Sequence, residues 1–281
     1  MNATALSPGH ITGFFRIFSN GSTGAGFNIS KGAITRVDVN PSAKNKVVVL
    51  INGRESEAKT SRNVAESFLS KQKKKFYVKV LHSIELPIGY GLGLSGAGAL
   101  SLSMALNEAL STKLPQKKAL EIAKKAEISA GTGLGDVIAE QHHGLMMGKK
   151  PYPSKKVEII PIKENFAVLG FFSPIKTSNI IRNSEWKQKI NKAGEKAMQK
   201  FGRKKNFSTF IECCREFTIE TGLASRAVER FMEKVPDSSQ AMLGQTVFAL
   251  TNNPTKTGKE FKKHCRRVAV TKIAGKGAMV L

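Results

Sequence analysis

The sequence predicts an α+β fold built in two halves, and three observations point there. Strand-like and helix-like segments interleave along 281 residues without the strict repetition of a doubly wound sheet. In the first half a strand-like run meets a glycine-rich turn and then an apolar helix of small residues. Further on, Lys149-Lys-Pro-Tyr-Pro-Ser-Lys-Lys156 mixes prolines with charge and reads as a linker, which sets the expected units at residues 1–150 and 151–281.

Taken in order, Ile11 to Phe18 and Ile34 to Leu50 carry the β-branched and aromatic residues of strands, with the polar stretch Ser19-Asn-Gly-Ser-Thr-Gly-Ala-Gly26 expected as a loop between them. Lys75 to Leu86 is a further strand, ending at Pro87 and the glycines. Ala97 to Leu110, rich in Ala, Leu and Met, has the composition of a mostly buried helix. Pro115 suits the first turn of a second helix that runs to about Gly131. The turn Gly131-Thr-Gly-Leu-Gly-Asp136 then leads into a short helix, Val137 to His142. In the second half, strands are expected at 157–161, 166–172, 241–250 and 267–273, and helices at 184–199, 206–221, 225–231 and 257–264.

Hydrophobic residues make up 41% of the chain and charged residues 23%, as in an ordinary folded protein. The net charge of +24 is unusual and attracts anions, whether nucleotides, small carboxylates or nucleic acid. Nucleic acid is the weaker reading, because clusters such as Lys71-Gln-Lys-Lys-Lys75 and Lys262-Lys-His-Cys-Arg-Arg267 have few aromatic residues among them for bases to stack on. The three cysteines have no zinc-site spacing, and the adjacent pair Cys213-Cys214 is poorly placed to bridge, which fits a reducing, cytoplasmic setting. No apolar run approaches membrane-spanning length, and the N-terminus lacks the pattern of a signal peptide.

The turn from Pro87 to Gly98 is the richest signal. It contains Gly91-Leu-Gly93-Leu-Ser-Gly96, the literal dinucleotide-binding pattern, but the helix after it runs into another helix where that fold needs a strand. A Walker loop is excluded because Ala97 stands where its lysine would. What remains is an anion cradle. Glycines let backbone N–H groups approach closely, the following helix presents its positive end, and Ser95 adds a hydroxyl for a phosphate oxygen or a metal ion.

Pro87-x-x-x-Gly91-Leu92-Gly93-x-Ser95 resembles the phosphate-binding motif of the GHMP kinases. Ser7-Pro-Gly-His-Ile-Thr12 is similar to the family's N-terminal segment, and Met242-Leu-Gly-Gln-Thr-Val sits where its third, glycine-rich motif belongs. The resemblance implies a two-domain fold, with an N-terminal ribosomal-protein-like domain and a C-terminal ferredoxin-like one, and ATP and Mg2+ as cofactors. It places Pro87, Gly89, Gly91, Leu92, Gly93, Ser95, Gly96 and Ala97 at the nucleotide. The opening segment, the Gly-Ser-x-Gly-Ala-Gly stretch and the degenerate third motif most resemble archaeal members that phosphorylate pantoate. Homoserine, mevalonate and shikimate are the alternative acceptors, and a homodimer is expected.

Phosphoryl transfer needs its charge neutralised and, in some enzymes, a carboxylate to receive the hydroxyl proton. By the resemblance, Ser95 and Glu127 bind magnesium and Asp136 is the base. His10 stands where several members carry Lys and is assigned to the catalytic or substrate site. His142 and His143 are read as structural. Pantoate carries a carboxylate and hydroxyls, so its pocket calls for a cation and short polar side chains, with Ser22, Lys149 and Thr177 as candidates.

Overall fold

The computed structural model describes every residue except 134, 135, 152, 153 and 155, so parts of the expected turn at 131–136 and linker at 149–156 lie outside the described residues. The chain opens with two long strands, β1 (Asn2–Phe18) and β2 (Gly21–Pro41), paired antiparallel around a tight turn. Then come β3 (Lys46–Ile51), β4 (Arg54–Glu55), α1 (Lys59–Leu69), β5 (Phe76–Ile84), α2 (Leu94–Ala109), α3 (Gln116–Ala130), α4 (Asp136–Ala139), β6 (Leu145–Gly148) and β7 (Val157–Ile160). The later part holds β8 (Phe166–Ser173), α5 (Thr177–Ile181), α6 (Ser184–Arg203), α7 (Phe207–Thr221), α8 (Arg226–Lys234), β9 (Ser239–Ala241), β10 (Gln245–Thr251), α9 (Pro254–Lys262), β11 (Arg267–Lys272) and β12 (Met279–Val280).

Among the described residues the strands form two sheets. The first runs β12-β1-β2-β5-β3-β4, with β6 and β7 continuing from β2, and the second runs β11-β8-β10-β9. β7 and β12 come from beyond residue 150 yet complete the first sheet. One core, with Val37, Val78, Leu100, Leu106 and Ala123, lies between the first sheet and α1, α2 and α3. A second joins the two halves, packing Phe14 and Phe27 of the first sheet against Phe201, Phe210 and Phe248. Later helices start on side-chain caps that their sequences spell out: Asn183, Asn206, Ser225 and Asn253 each accept a backbone N–H of the first turn.

The stretch 19–26 differs from the loop expected there. Only its first two residues turn, and the rest enters β2. Its glycines answer a packing demand, because a Cβ on Gly24 would overlap the Phe14 carbonyl and one on Gly26 the Ile11 carbonyl.

A buried chain of hydrogen bonds ties α1, β5, β2 and α2 together. Ser101 donates to the Ala97 carbonyl at 2.7 Å, so its oxygen accepts from Thr35 at 2.6 Å. His82 Nδ1 then donates to Thr35 at 2.8 Å, leaving Nε2 to accept from Ser61 at 2.9 Å. His82 is therefore neutral, and burial lowers its pKa to about 4.

Candidate active site

The glycine turn bridges β5 and α2. Gly89, Gly91 and Gly93 hold φ values of 85°, 79° and 65°, a left-handed backbone that residues with a Cβ resist. Gly93 is the N-cap of the sixteen-residue α2, so the N–H groups of Leu94, Ser95 and Gly96 stand at the helix's open, positive end. A phosphate oxygen suits such a place.

Both ends of the chain hold this turn. The His10 N–H donates to the Leu92 carbonyl at 3.0 Å, the Ile175 N–H to Gly89 at 3.0 Å, and the Thr246 hydroxyl to Tyr90 at 2.7 Å. A Cβ on Gly91 would stand 2.7 Å from the Met242 carbonyl, and one on Gly244 would overlap Tyr90. The segments Ser7–Thr12 and Met242–Gly244, far apart in sequence, thus close on the phosphate turn from either side.

In front of the turn lies a cleft of about 330 Å3, lined by Gly89, Gly91, Leu92, Gly93 and Ser95 together with His10, Ser22, Asp136 and Thr177. A smaller recess continues from His10, Ser22 and Asp136 towards Lys150, Ser154 and Lys156. Of the residues expected at the nucleotide, Gly96 and Ala97 sit buried behind the cleft in the first turn of α2, and Pro87 precedes the turn. Lys149 is not brought to the cleft. It pairs with Glu158 at 2.5 Å, while its neighbour Lys150 lines the recess. The two follow directly on β6, where successive side chains point to opposite sides.

His10 is buried, with Nδ1 2.7 Å from Asn28 Oδ1. Asn28 Nδ2 donates to the Ala139 and His142 carbonyls at 2.8 and 2.9 Å, which turns Oδ1 towards His10 and leaves Nδ1 as the protonated nitrogen. Burial lowers the His10 pKa, against the opposing pull of Asp136 and Asn28. Asp136 is pushed up by burial, partly offset by His10. His10 and Asp136 therefore act on one another across the cleft.

Glu127 is buried rather than placed on the solvent face that its Lys-Lys-Ala-Glu setting would allow. Its carboxylate stands against Gly133 and, through Oε2, 3.1 Å from where a Gly96 Cβ would be. Burial raises its pKa well above the usual range and Asp136 adds to the rise. Asp136 and Glu140 are four apart and so share one helical face, though with His142 and His143 they form no recognisable ligand spacing in the sequence. Glu140 too is fully buried, with its pKa raised by burial and by Glu127 and Asp136, and Oε1 finds no hydrogen-bond partner among the described residues. Among the described residues no three His, Cys, Asp or Glu side chains converge closely enough to hold a metal ion by themselves. Magnesium asks for less than that, keeping waters and substrate phosphates as ligands beside one or two carboxylates. Ser95 and Glu127 fit that requirement, and the unpartnered Glu140 oxygen lies beside Glu127.

Phosphoryl transfer from a nucleotide to a small molecule is the chemistry such a cleft serves. The pattern of the GHMP kinases N terminal domain matches residues 59–144. A "Pantoate kinase" of Methanocaldococcus jannaschii is 32% identical over 263 residues, covering 89% of this chain and 93% of the relative. Among solved structures, a "Phosphotransferase related to CoA biosynthesis pathway" superposes with a TM-score of 0.89 at 24% identity, over 100% of this chain and 99% of that one. Another, described as MDDEF in complex with MVAPP, AMPPCP and magnesium, gives a TM-score of 0.77 at 15% identity, over 100% and 99%. The chain belongs to the GHMP kinases, in their pantoate kinase family. It is an ATP-dependent phosphotransferase with an alcohol as acceptor.

Proposed function

We propose that this enzyme transfers the γ-phosphoryl group of ATP to the 4-hydroxyl of pantoate, giving 4-phosphopantoate for coenzyme A synthesis. The observation that carries the reading is the meeting of Asp136, His10 and the glycine turn in one cleft that also opens towards Lys150. The name of the relative covering 89% of the chain supports pantoate as the acceptor.

In this reading the glycine turn and the N–H groups of Leu94 and Ser95 hold the phosphates, with Ser95 and Glu127 at magnesium. Magnesium, when bound, neutralises charge on the phosphoryl group in transit. Asp136 receives the proton of the acceptor hydroxyl. His10, neutral and fixed by Asn28, orients Asp136 or the acceptor. Ser22 and Thr177 supply hydrogen bonds to the acceptor. Lys150 takes the place expected for Lys149 and faces the carboxylate.

The reading also carries the division at residues 150–151, amended so that β7 and β12 return to the first sheet. It carries a cytoplasmic location in an archaeal source as well, in keeping with three free, buried cysteines. A homodimer belongs to it too, and the exposed Ile34 and Met279, aligned through Leu6 on one face of the first sheet, are the apolar surface in its favour.

A panel of pantoate, homoserine, mevalonate and shikimate with ATP and Mg2+ tests the acceptor. Pantoate should give a kcat/KM at least a hundredfold above the others. Turnover of another alcohol with none on pantoate would remove the assignment.

A further inference from the structure

We propose that Glu140 belongs to the cation site, its buried carboxylate standing beside Glu127 as a second negative charge for a divalent ion. The proposal rests on the ATP–magnesium reading of the cleft and adds a residue that neither the motifs nor the resemblance supplied.

The geometry is specific. A Cβ on Gly96 would lie 2.9 Å from Glu140 Oε1 and 3.1 Å from Glu127 Oε2, so two carboxylates from different parts of the chain are aimed at one α-carbon, next to Ser95. Glycine at 96 is what lets both approach. Glu140 is 0% exposed and Glu127 1% exposed. The Ser7 hydroxyl reaches Glu140 Oε2 only at 3.4 Å, and Oε1 has no partner among the described residues.

Charge points the same way. Among the described residues the hydrogen-bond partners of the Glu127 and Glu140 carboxylates are hydroxyls, of Thr132 and of Ser7, at 3.4 Å each. Buried carboxylates left without a counter-charge are costly, and such groups are found paired or at metals. A divalent cation is a counter-charge suited to this arrangement. Because no three such side chains close on a point by themselves, Glu140 acts through a water or through Glu127, as outer-shell groups do when they set the affinity of a metal site.

The test is Mn2+ binding to the nucleotide-free protein, read from the free Mn2+ signal by electron paramagnetic resonance, together with melting in EDTA and in Mg2+. Two variants are compared, Glu140→Gln and Glu140→Met. Both should melt in EDTA at or above the wild-type temperature, since a buried ionisable group with a single long hydrogen bond has been removed. Both should bind Mn2+ about 10–100-fold more weakly and lose most of the Mg2+-induced rise in Tm. Wild-type Mn2+ affinity in either variant would overturn the proposal. So would failure of both to fold in EDTA, which would make Glu140 a structural acceptor. The acceptor panel is independent of this result: Mn2+ binding that depends on Glu140 without pantoate turnover keeps the cation assignment and discards the acceptor, and the reverse keeps the acceptor and discards Glu140.

Discussion

Asp136 and His10 illustrate how far single residues could be read in advance. Both stand in segments that resemble family motifs, and the structure brings them into one cleft. Asp136→Asn should lower kcat by about 10²–10⁴-fold with nucleotide affinity kept, measured by steady-state kinetics beside ATP-analogue titration. Loss of stability with kcat unchanged would reduce it to a helix-starting residue. Gly91→Ala should fare worse on both counts. Its φ of 79° costs a side chain about 1–3 kcal/mol, and the new Cβ would meet the Met242 carbonyl, so both the melting temperature and ATP affinity should fall. Glu140 and Lys150 were harder to see. Nothing local marks a buried carboxylate in Glu140-Gln-His-His, and choosing between adjacent lysines takes the side-chain direction at the end of β6.

At the scale of elements, hydrophobic and glycine patterns located most strands and helices, while long-range packing decided the rest. The spacing of Thr60, Ser61, Val64, Ala65, Phe68 and Leu69 is that of one helical face, yet α1 passes unnoticed in sequence because its apolar stripe is short and partly made of hydroxyl residues. Ser61 on that stripe belongs to the chain through His82 and Thr35 to Ser101, which fastens the first turns of α2 to the sheet. His82 yields a pH prediction. Its folded pKa of about 4 lies below the unfolded value near 6.5, so the unfolded chain takes up the proton first. The stability it contributes is complete above about pH 6.5 and is lost as pH falls towards 4, by at most about 3 kcal/mol. The buried carboxylates shift in the opposite sense, so the comparison to make is wild type against His82→Gln. The difference between their urea midpoints should shrink from pH 7 to pH 4.5, and a constant difference would exclude the mechanism.

For the whole molecule, the +24 charge sets up a field that favours approach of ATP. The bimolecular rate of nucleotide binding should fall several-fold between low and high salt, with the dissociation rate nearly unchanged, in stopped-flow measurements. An equal change in both rates would place the charge outside recognition. The two halves legible from the proline-rich segment do not behave as separate bodies in the core, where Phe14 and Phe27 meet Phe210 and Phe248. The glycine turn is likewise clasped by Met242, Gly244 and Thr246. For a chain emerging from the ribosome this has a consequence. Every residue proposed to touch phosphate has been made long before the clasp that shapes the turn exists, so a nascent or prematurely terminated chain carries the motif without the cradle. A chain that ends before Met242 should therefore fail to hold ATP, which equilibrium binding of an ATP analogue to such a truncated product would check.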